Sequence, residues 1–376
     1  MASYNLQQQA FALAMMAGSE GKPGIQGNAQ TLATYLANAI QNYFTNDQMI
    51  GLIGNWSITW GPWVWQDSPT SDVVDNAMFA AQNSATNTIV VAVAGTNPVS
   101  NWDWVDEDYA VSTLGLLPNG NNVAQVSTGT ITGLNILLGF GSGAPPIGSW
   151  ACGGSNSSQT IAQYLQAAAS SSATLIIAGH SLGGALASAL ATSLFNSTGG
   201  LLNGSQWTLA NIGVLPIAAP SVGDQAFCTL YASTFSGSQI FYERYYNTID
   251  EIPQCWDPST CSAKQLEDLY APNLEPCTCI DSLVTSTLSN ANPPPSTYLA
   301  LPSTSFTGQF QSGTLENTTC TFMAQVSYQH VLAYFEQIAP ELVSLMNPTN
   351  PYSAKAKRDI DYEYNQKIKG NYSGCT

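Results

Sequence analysis

The stretch Gly179-His180-Ser181-Leu182-Gly183-Gly184-Ala185 constrains this chain more tightly than any other part of its sequence. It follows the apolar run Thr174–Ala178 and opens the Ala- and Leu-rich run Leu182–Leu194. The first run has the length and β-branched character of a buried strand, and the second reads as a helix. Only Gly179, His180 and Ser181 separate the two, so the backbone must reverse in one tight turn. Small residues at 179 and 183 let it do so without side-chain collision. A serine at the apex of a strand–turn–helix stands above the sheet, beside helix amide groups that favour negative charge.

Elsewhere strand and helix signals alternate. Residues 5–17 and 29–44 predict two helices around a Gly/Pro turn at Gly21–Gly27. Trp56–Trp65 is aromatic and partly alternating, and Thr88–Ala94 is a near-continuous apolar run, so both predict strands. Residues 111–150 are Gly- and Asn-rich with apolar patches, and 158–170 predicts a helix. Further strands are expected at Ile212–Ala219 and Gln239–Tyr245, and a last helix at Ala324–Gln337. This order predicts an α/β fold, a mostly parallel central sheet with helices on both faces. Residues 1–350 are expected to form one domain. The interval of about 255–320 holds Pro293–Pro295 and the cysteines Cys255, Cys261, Cys277, Cys279 and Cys320, and reads as a stapled insertion. Residues 351–376 carry Lys355, Lys357, Arg358, Lys367 and Lys369 and read as a surface extension.

Charge narrows the partners. With 24 acids against 8 bases the net charge is −16, which argues against nucleic acid and anionic membrane surfaces. No stretch reaches the roughly 20 apolar residues that span a bilayer. The three remaining cysteines, Cys152, Cys228 and Cys375, bring the total to 8, and an even number in a base-poor chain suggests disulfides. A zinc site would want paired cysteines or histidines, and the chain has only 2 histidines. Asn55, Asn156, Asn196, Asn203, Asn317 and Asn371 stand in glycosylation sequons. Together these features predict a secreted, disulfide-bonded glycoprotein.

A serine hydroxyl needs a base to become a nucleophile. His180 lies inside the turn itself and reads as a support for it, which leaves His330 as the base. The acid that orients the imidazole should fall between serine and histidine. Asp250, after the expected strand 239–245, is the best placed; Glu251 and Asp224 are its competitors, and a turn-capping role is the plain alternative for Asp250. Backbone N–H groups must hold the developing oxyanion. Leu182, which follows the nucleophile, supplies one, and Thr96, after the run 88–94, supplies the other. This chemistry requires no metal or organic cofactor.

The assembly resembles class 3 lipases, a family of secreted fungal α/β-hydrolase lipases and feruloyl esterases. Val93-Ala94-Gly95-Thr96 resembles the family's oxyanion motif, with Asn101-Trp102 just downstream, and Gly179–Ala185 resembles its nucleophile motif. Pro220-Ser221-Val222-Gly223-Asp224 and Asn247-Thr248-Ile249-Asp250-Glu251-Ile252-Pro253 resemble two later family stretches, the second carrying the catalytic aspartate. The resemblance implies the triad Ser181, Asp250 and His330, with Thr96 and Leu182 at the oxyanion. Ala94 departs from the arginine usual there, and the interval from Asp250 to His330 is long.

The implied activity is hydrolysis of an acyl ester, foremost triacylglycerol at a lipid–water interface. Val99, Trp102, Trp104 and Val105 are the candidates for a lid over the site. Trp60, Trp63 and Trp65 could form an aromatic patch for lipid, a feruloyl ring or sugar. A feruloyl or other small-ester esterase is one alternative. A catalytically dead extracellular protein that binds lipid or carbohydrate is the other.

Overall fold

Alternate side chains on the apolar strands face opposite layers of helices. The computed structural model describes residues 2–19, 25–68, 71–98, 100, 102–140, 150–151, 158–257, 263–274, 284–285, 288, 291, 297–311 and 319–348. Its strands are β1 (Ser57–Trp65), β2 (Asn76–Asn83), β3 (Thr88–Val93), β4 (Leu114–Leu116), β5 (Gln125–Ser127), β6 (Trp150–Ala151), β7 (Thr174–His180), β8 (Ile212–Ile217), β9 (Gly223–Asp224), β10 (Arg244–Asn247), β11 (Tyr298–Leu299) and β12 (Ser303–Phe306). The central sheet runs β12-β10-β8-β7-β3-β2-β1-β6. Pairs from β12 to β3 are parallel and those from β3 to β6 antiparallel. A smaller antiparallel sheet, β11-β9-β5-β4, lies apart from it.

The helices are α1 (Leu6–Ala17), α2 (Ala29–Phe44), α3 (Asp47–Ile53), α4 (Thr128–Gly139), α5 (Ile161–Ala168), α6 (Leu182–Phe195) and α7 (Gln225–Phe235), followed by shorter ones near the C-terminal end of the described chain. Ile89, Val91, Val93, Leu175 and Ile177 share a core with α4–α7. Val90, Ala92, Ile176 and Ala178 share another with α1–α3 and with Tyr334 and Phe335 of the Ala333–Ile338 helix. That double burial is why these strands read as unbroken apolar runs. The predicted mostly parallel sheet between two helical layers is therefore present.

Register decides where the site forms. Val93 pairs with Gly179, Gly179 with Pro216, and Ile217 with both His180 and Tyr245. The carboxyl ends of β3, β7, β8 and β10 thus come level, and the loops after them gather at one edge, where open α/β sheets bind their ligands.

Several expectations change. The predicted strand at Gln239–Tyr245 begins only at Arg244, because Ser238–Ile240 is tied into a turn: the Ser238 hydroxyl donates to the Ile212 carbonyl and accepts the Ile240 N–H. The 111–150 segment holds β4, β5 and α4, the helix capped by Ser127, whose Oγ accepts the Thr130 N–H at 3.0 Å. The cysteine-rich interval is more than an insertion, since β12 extends the central sheet beside β10. Trp60, Trp63 and Trp65 are buried in the core rather than forming a surface patch. Residues 351–376 lie outside the described residues.

Cys228 is a buried free thiol, not part of a disulfide; its Sγ donates to the Leu299 carbonyl at 3.2 Å, and burial pushes it up to about 12. The Cys255 Sγ lies 3.4 Å from the Glu251 carbonyl oxygen. Cys152, Cys261, Cys277, Cys279, Cys375 and the side chain of Cys320 lie outside the described residues. Among the sequons, Asn55 and Asn203 are exposed. Asn196 is fully buried: its amide donates to the Asn119 and Thr192 carbonyls and its Oδ1 accepts the Thr198 and Gly199 N–H groups. A glycan has no room there, so Asn196 leaves the candidates. Asn156, Asn317 and Asn371 lie outside the described residues.

The N-terminal helix reaches the same layer as the C-terminal one. Phe11 of α1 is fully buried and meets Phe335 edge-on, centroids 5.1 Å apart. Phe11→Ala should cost about 3–5 kcal/mol, as large-to-small changes of buried aromatic residues do, read as a lower urea midpoint. An unchanged midpoint would show that this contact is dispensable.

Candidate active site

Ser181 sits between β7 and α6 with φ 59° and ψ −129°, a conformation rare for a residue with a side chain. Its neighbours hold it there. The Ser181 N–H donates to the Ile217 carbonyl at 2.9 Å, and the Ser181 carbonyl accepts the Gly184 and Ala185 N–H groups. Close approach requires glycine at two places. A Cβ on Gly183 would lie 2.5 Å from the carbonyl oxygens of Val93 and Ala94, and one on Gly95 would lie 2.6 Å from that of His180. Those contacts press the loop after β3 onto the turn, with the Gly95 position 3.5 Å from Ser181 Cβ. Leu182 opens α6, where helix geometry leaves its N–H without an intrahelical acceptor.

His330 lies on a π-helical turn, Tyr328–Leu332, between the Thr319–Ser327 and Ala333–Ile338 helices. Its Nε2 is 2.8 Å from Ser181 Oγ, and its Nδ1 is 2.9 Å from Asp250 Oδ2 and 3.2 Å from Oδ1. Asp250 is fully buried just beyond β10, accepts the Ile252 N–H on Oδ1, and accepts the Tyr334 hydroxyl on Oδ2 at 2.8 Å. The structure thus brings Ser181, His330 and Asp250 into one hydrogen-bonded line. An imidazole so held has the geometry to take a proton from the serine while the carboxylate fixes its tautomer.

The competing acids have other work. Asp224 caps α7 by accepting the Phe227 N–H at 2.8 Å. Glu251 is buried, its Oε1 without a hydrogen-bond partner among the described residues, and burial together with the Asp250 charge holds its carboxyl well above the ordinary range. His180 turns to the main chain of His330: its Nε2 lies 2.6 Å from the His330 carbonyl oxygen. Burial, reinforced by the neighbouring His330, pushes His180 down to about 3, so its ring is neutral and Nε2–H is the donor. Tyr334, Asn247 and Gln329 were not among the sequence candidates. The spacing of Tyr334, one helical turn beyond His330, was the available signal for the first.

Of the lid candidates, Trp102 is half-buried and packs against Trp65 with centroids 4.5 Å apart and ring planes tilted by 54°, while Val105 is exposed. Val99 and the side chain of Trp104 lie outside the described residues. The π-helical segment Asp103–Asp108, which contains Trp104 and Val105, is pinned by buried acids. Asp103 accepts the Asn97 N–H at 2.7 Å, Glu107 accepts both bonds from the Asn76 amide, and Asp75 accepts the Ser100 hydroxyl. Asp108 accepts the Thr96 hydroxyl at 2.9 Å, which fixes the side chain of the oxyanion candidate. Burial raises every one of these carboxyls: Asp75 to about 6, Asp108 to about 7, and Asp103 and Glu107 well above the ordinary range. Among the described residues no group of His, Cys, Asp and Glu could hold a metal ion, and no helix is long and apolar enough to cross a membrane.

Folded Asp108 holds its proton to higher pH than the unfolded chain does. Its contribution to stability is therefore complete below the ordinary value of 3.8 and is lost as pH rises towards about 7. Asp108→Asn keeps an acceptor for Thr96 but cannot ionise. The melting temperature of the variant should fall less steeply than the parent's across that window. Parallel profiles would show that Asp108 titrates alike in the two states.

Residues 90–258 match the family model described as Lipase (class 3). No curated protein matches the chain. Among solved structures, the crystal structure of M37 lipase is similar over 95% of this chain and 100% of that one, at 23% identity and a TM-score of 0.69. More distant likenesses are to lipase II from Rhizopus niveus (16% identity, 67% and 76% covered, TM-score 0.44) and the lipase from Rhizopus microsporus var. chinensis (19%, 65% and 69%, 0.40). The architecture is that of an α/β-hydrolase.

Proposed function

We propose that the chain is a class 3 lipase, an ester hydrolase acting on triacylglycerol through an acyl-enzyme; the match of residues 90–258 to that family's model supports this reading. The observation that carries this reading is the line Ser181 Oγ, His330 Nε2, His330 Nδ1, Asp250 Oδ2, with contacts of 2.8 and 2.9 Å.

Ser181 Oγ attacks the ester carbonyl carbon as His330 Nε2 takes its proton. The carbonyl oxygen becomes an anion facing the N–H groups of Leu182 and Thr96. When the intermediate collapses, the bond to the alcohol oxygen breaks and His330 returns the proton to that oxygen. Water then attacks the acyl-serine by the same route, releasing the acid and restoring Ser181. Asp250 keeps the Nδ1–H tautomer, and Tyr334 holds its carboxyl group in place. An acidic, base-poor surface and the exposed sequons Asn55 and Asn203 support a secreted enzyme.

One observation favours the second reading, an esterase for feruloyl or other small esters with a static cleft. The candidate lid segment is anchored by the buried bonds of Asp103 and Glu107 and by the packing of Trp102 against Trp65. A p-nitrophenyl ester series with and without an emulsion separates the two: a lipase prefers long chains and is activated by the interface. Ser181→Ala and His330→Ala should each lower kcat by about a thousandfold or more with melting temperature nearly unchanged. A fluorophosphonate should label the parent at Ser181. Full activity in either variant contradicts the triad, and no labelling favours a dead binding protein.

A further inference from the structure

The base is held by its main chain as well as by its ring. Resting on the triad proposed above, we infer that His180 and Asn247 are positioning residues, a polar clamp on the backbone of the π-helical turn that carries His330. In a π-helical turn the hydrogen-bond ladder slips by one residue; here the Ala333 N–H donates to the Tyr328 carbonyl, five residues back. At the slip, two side chains from the sheet act as donors. His180 Nε2–H gives to the His330 carbonyl at 2.6 Å, and Asn247 Nδ2 gives to the Gln329 carbonyl at 3.2 Å and to Gln329 Oε1 at 2.7 Å.

The origin of each donor is the telling part. His180 ends β7 and directly precedes Ser181, while Asn247 ends β10 and lies three residues before Asp250. The strand that delivers the nucleophile and the strand that delivers the acid therefore each grip the backbone of the base. The distances from His330 to Ser181 and to Asp250 are set by strand ends that already sit level in the sheet.

Asn247 is saturated in this role. It is fully buried; its Oδ1 accepts the Ile249 and Gly308 N–H groups, and its own N–H donates to the Tyr334 hydroxyl, which donates in turn to Asp250. His180 suits its place for an electrostatic reason as well. Its ring lies 4.7 Å from that of His330, so a second positive charge would oppose imidazolium formation, and burial keeps it neutral.

The test replaces the donor and keeps the shape. His180→Gln retains a terminal N–H at about the reach of Nε2, whereas His180→Met has similar length and no donor. His180→Met should lower kcat about 10- to 100-fold, the scale expected of a misplaced catalytic group. KM should stay within about twofold, and Ser181 labelling by a fluorophosphonate should slow by the same factor. His180→Gln should recover to within about threefold of the parent kcat. Equal kcat in the Gln and Met variants, or parental kcat in the Met variant, would overturn the clamp.

A measurement on the unaltered protein covers the case in which the Met variant does not fold. With only 2 histidines in the chain, nitrogen-15 histidine NMR should show one ring that stays neutral with a slowly exchanging Nε2 proton throughout pH 5–9. A His180 that titrates in that range, or carries its proton on Nδ1, contradicts the inference. An active His330→Ala variant would sink the triad itself, whereas an inactive one beside a fully active His180→Met would sink only the clamp.

Discussion

Everything at the site depends on the left-handed backbone of Ser181. A side-chain-bearing residue held at φ 59° stores strain of order 1–3 kcal/mol. The structure sustains it because the turn is over-determined: β7 is paired in register on both sides, the Ser181 N–H is taken by β8, and α6 begins at once. The absence of side chains at Gly95 and Gly183 lets the end of β3 close over the same turn. The strain therefore does two things: it raises the hydroxyl above the sheet, and it sets the start of α6 against the Gly95 backbone at the end of β3.

The imidazole is controlled by different physics. It reaches the serine from a helix packed on the opposite layer from α6, far along the chain. Packing of Tyr334 and Phe335 into the core beneath α1 fixes the helix as a body. Hydrogen bonds from two strand ends then fix the turn that bears the ring. Opposite that turn, the loop after β3 is held by carboxyls that burial keeps protonated to unusual pH, with amide and hydroxyl donors in place of cations. With only 8 bases in the whole chain, few cations exist to neutralise buried acids, and retained protons serve that end.

What was legible in the sequence followed from periodicity and scarcity. Two-sided burial makes β3 and β7 continuous apolar runs, and glycine around Ser181 marks the turn. The scarcity of histidine left His330 as the one available base, and the structure brings it to Ser181. What was not legible depends on contacts distant in sequence. The β2 strand Asn76–Asn83 is absent from the expected strands: both its faces are covered, so its sequence shows no alternation. The π-helical turn leaves no local mark, since it is stabilised by His180 and Asn247, 150 and 82 residues from the carbonyls they grip. A sequon tests only three consecutive residues, so Asn196 passed it while sitting fully buried. Counting cysteines could not tell that Cys228 points into the core against a carbonyl.

The central claim is that Ser181 carries the acyl group during turnover, and trapping that intermediate tests it most directly. Rapid acid quench of the enzyme mixed with a p-nitrophenyl ester, followed by peptide mass analysis, should find the acyl mass on the peptide containing Ser181, at a burst of one nitrophenol per enzyme. An acyl group on another residue, or turnover with no acylated peptide and no burst when deacylation is made slow, would contradict it.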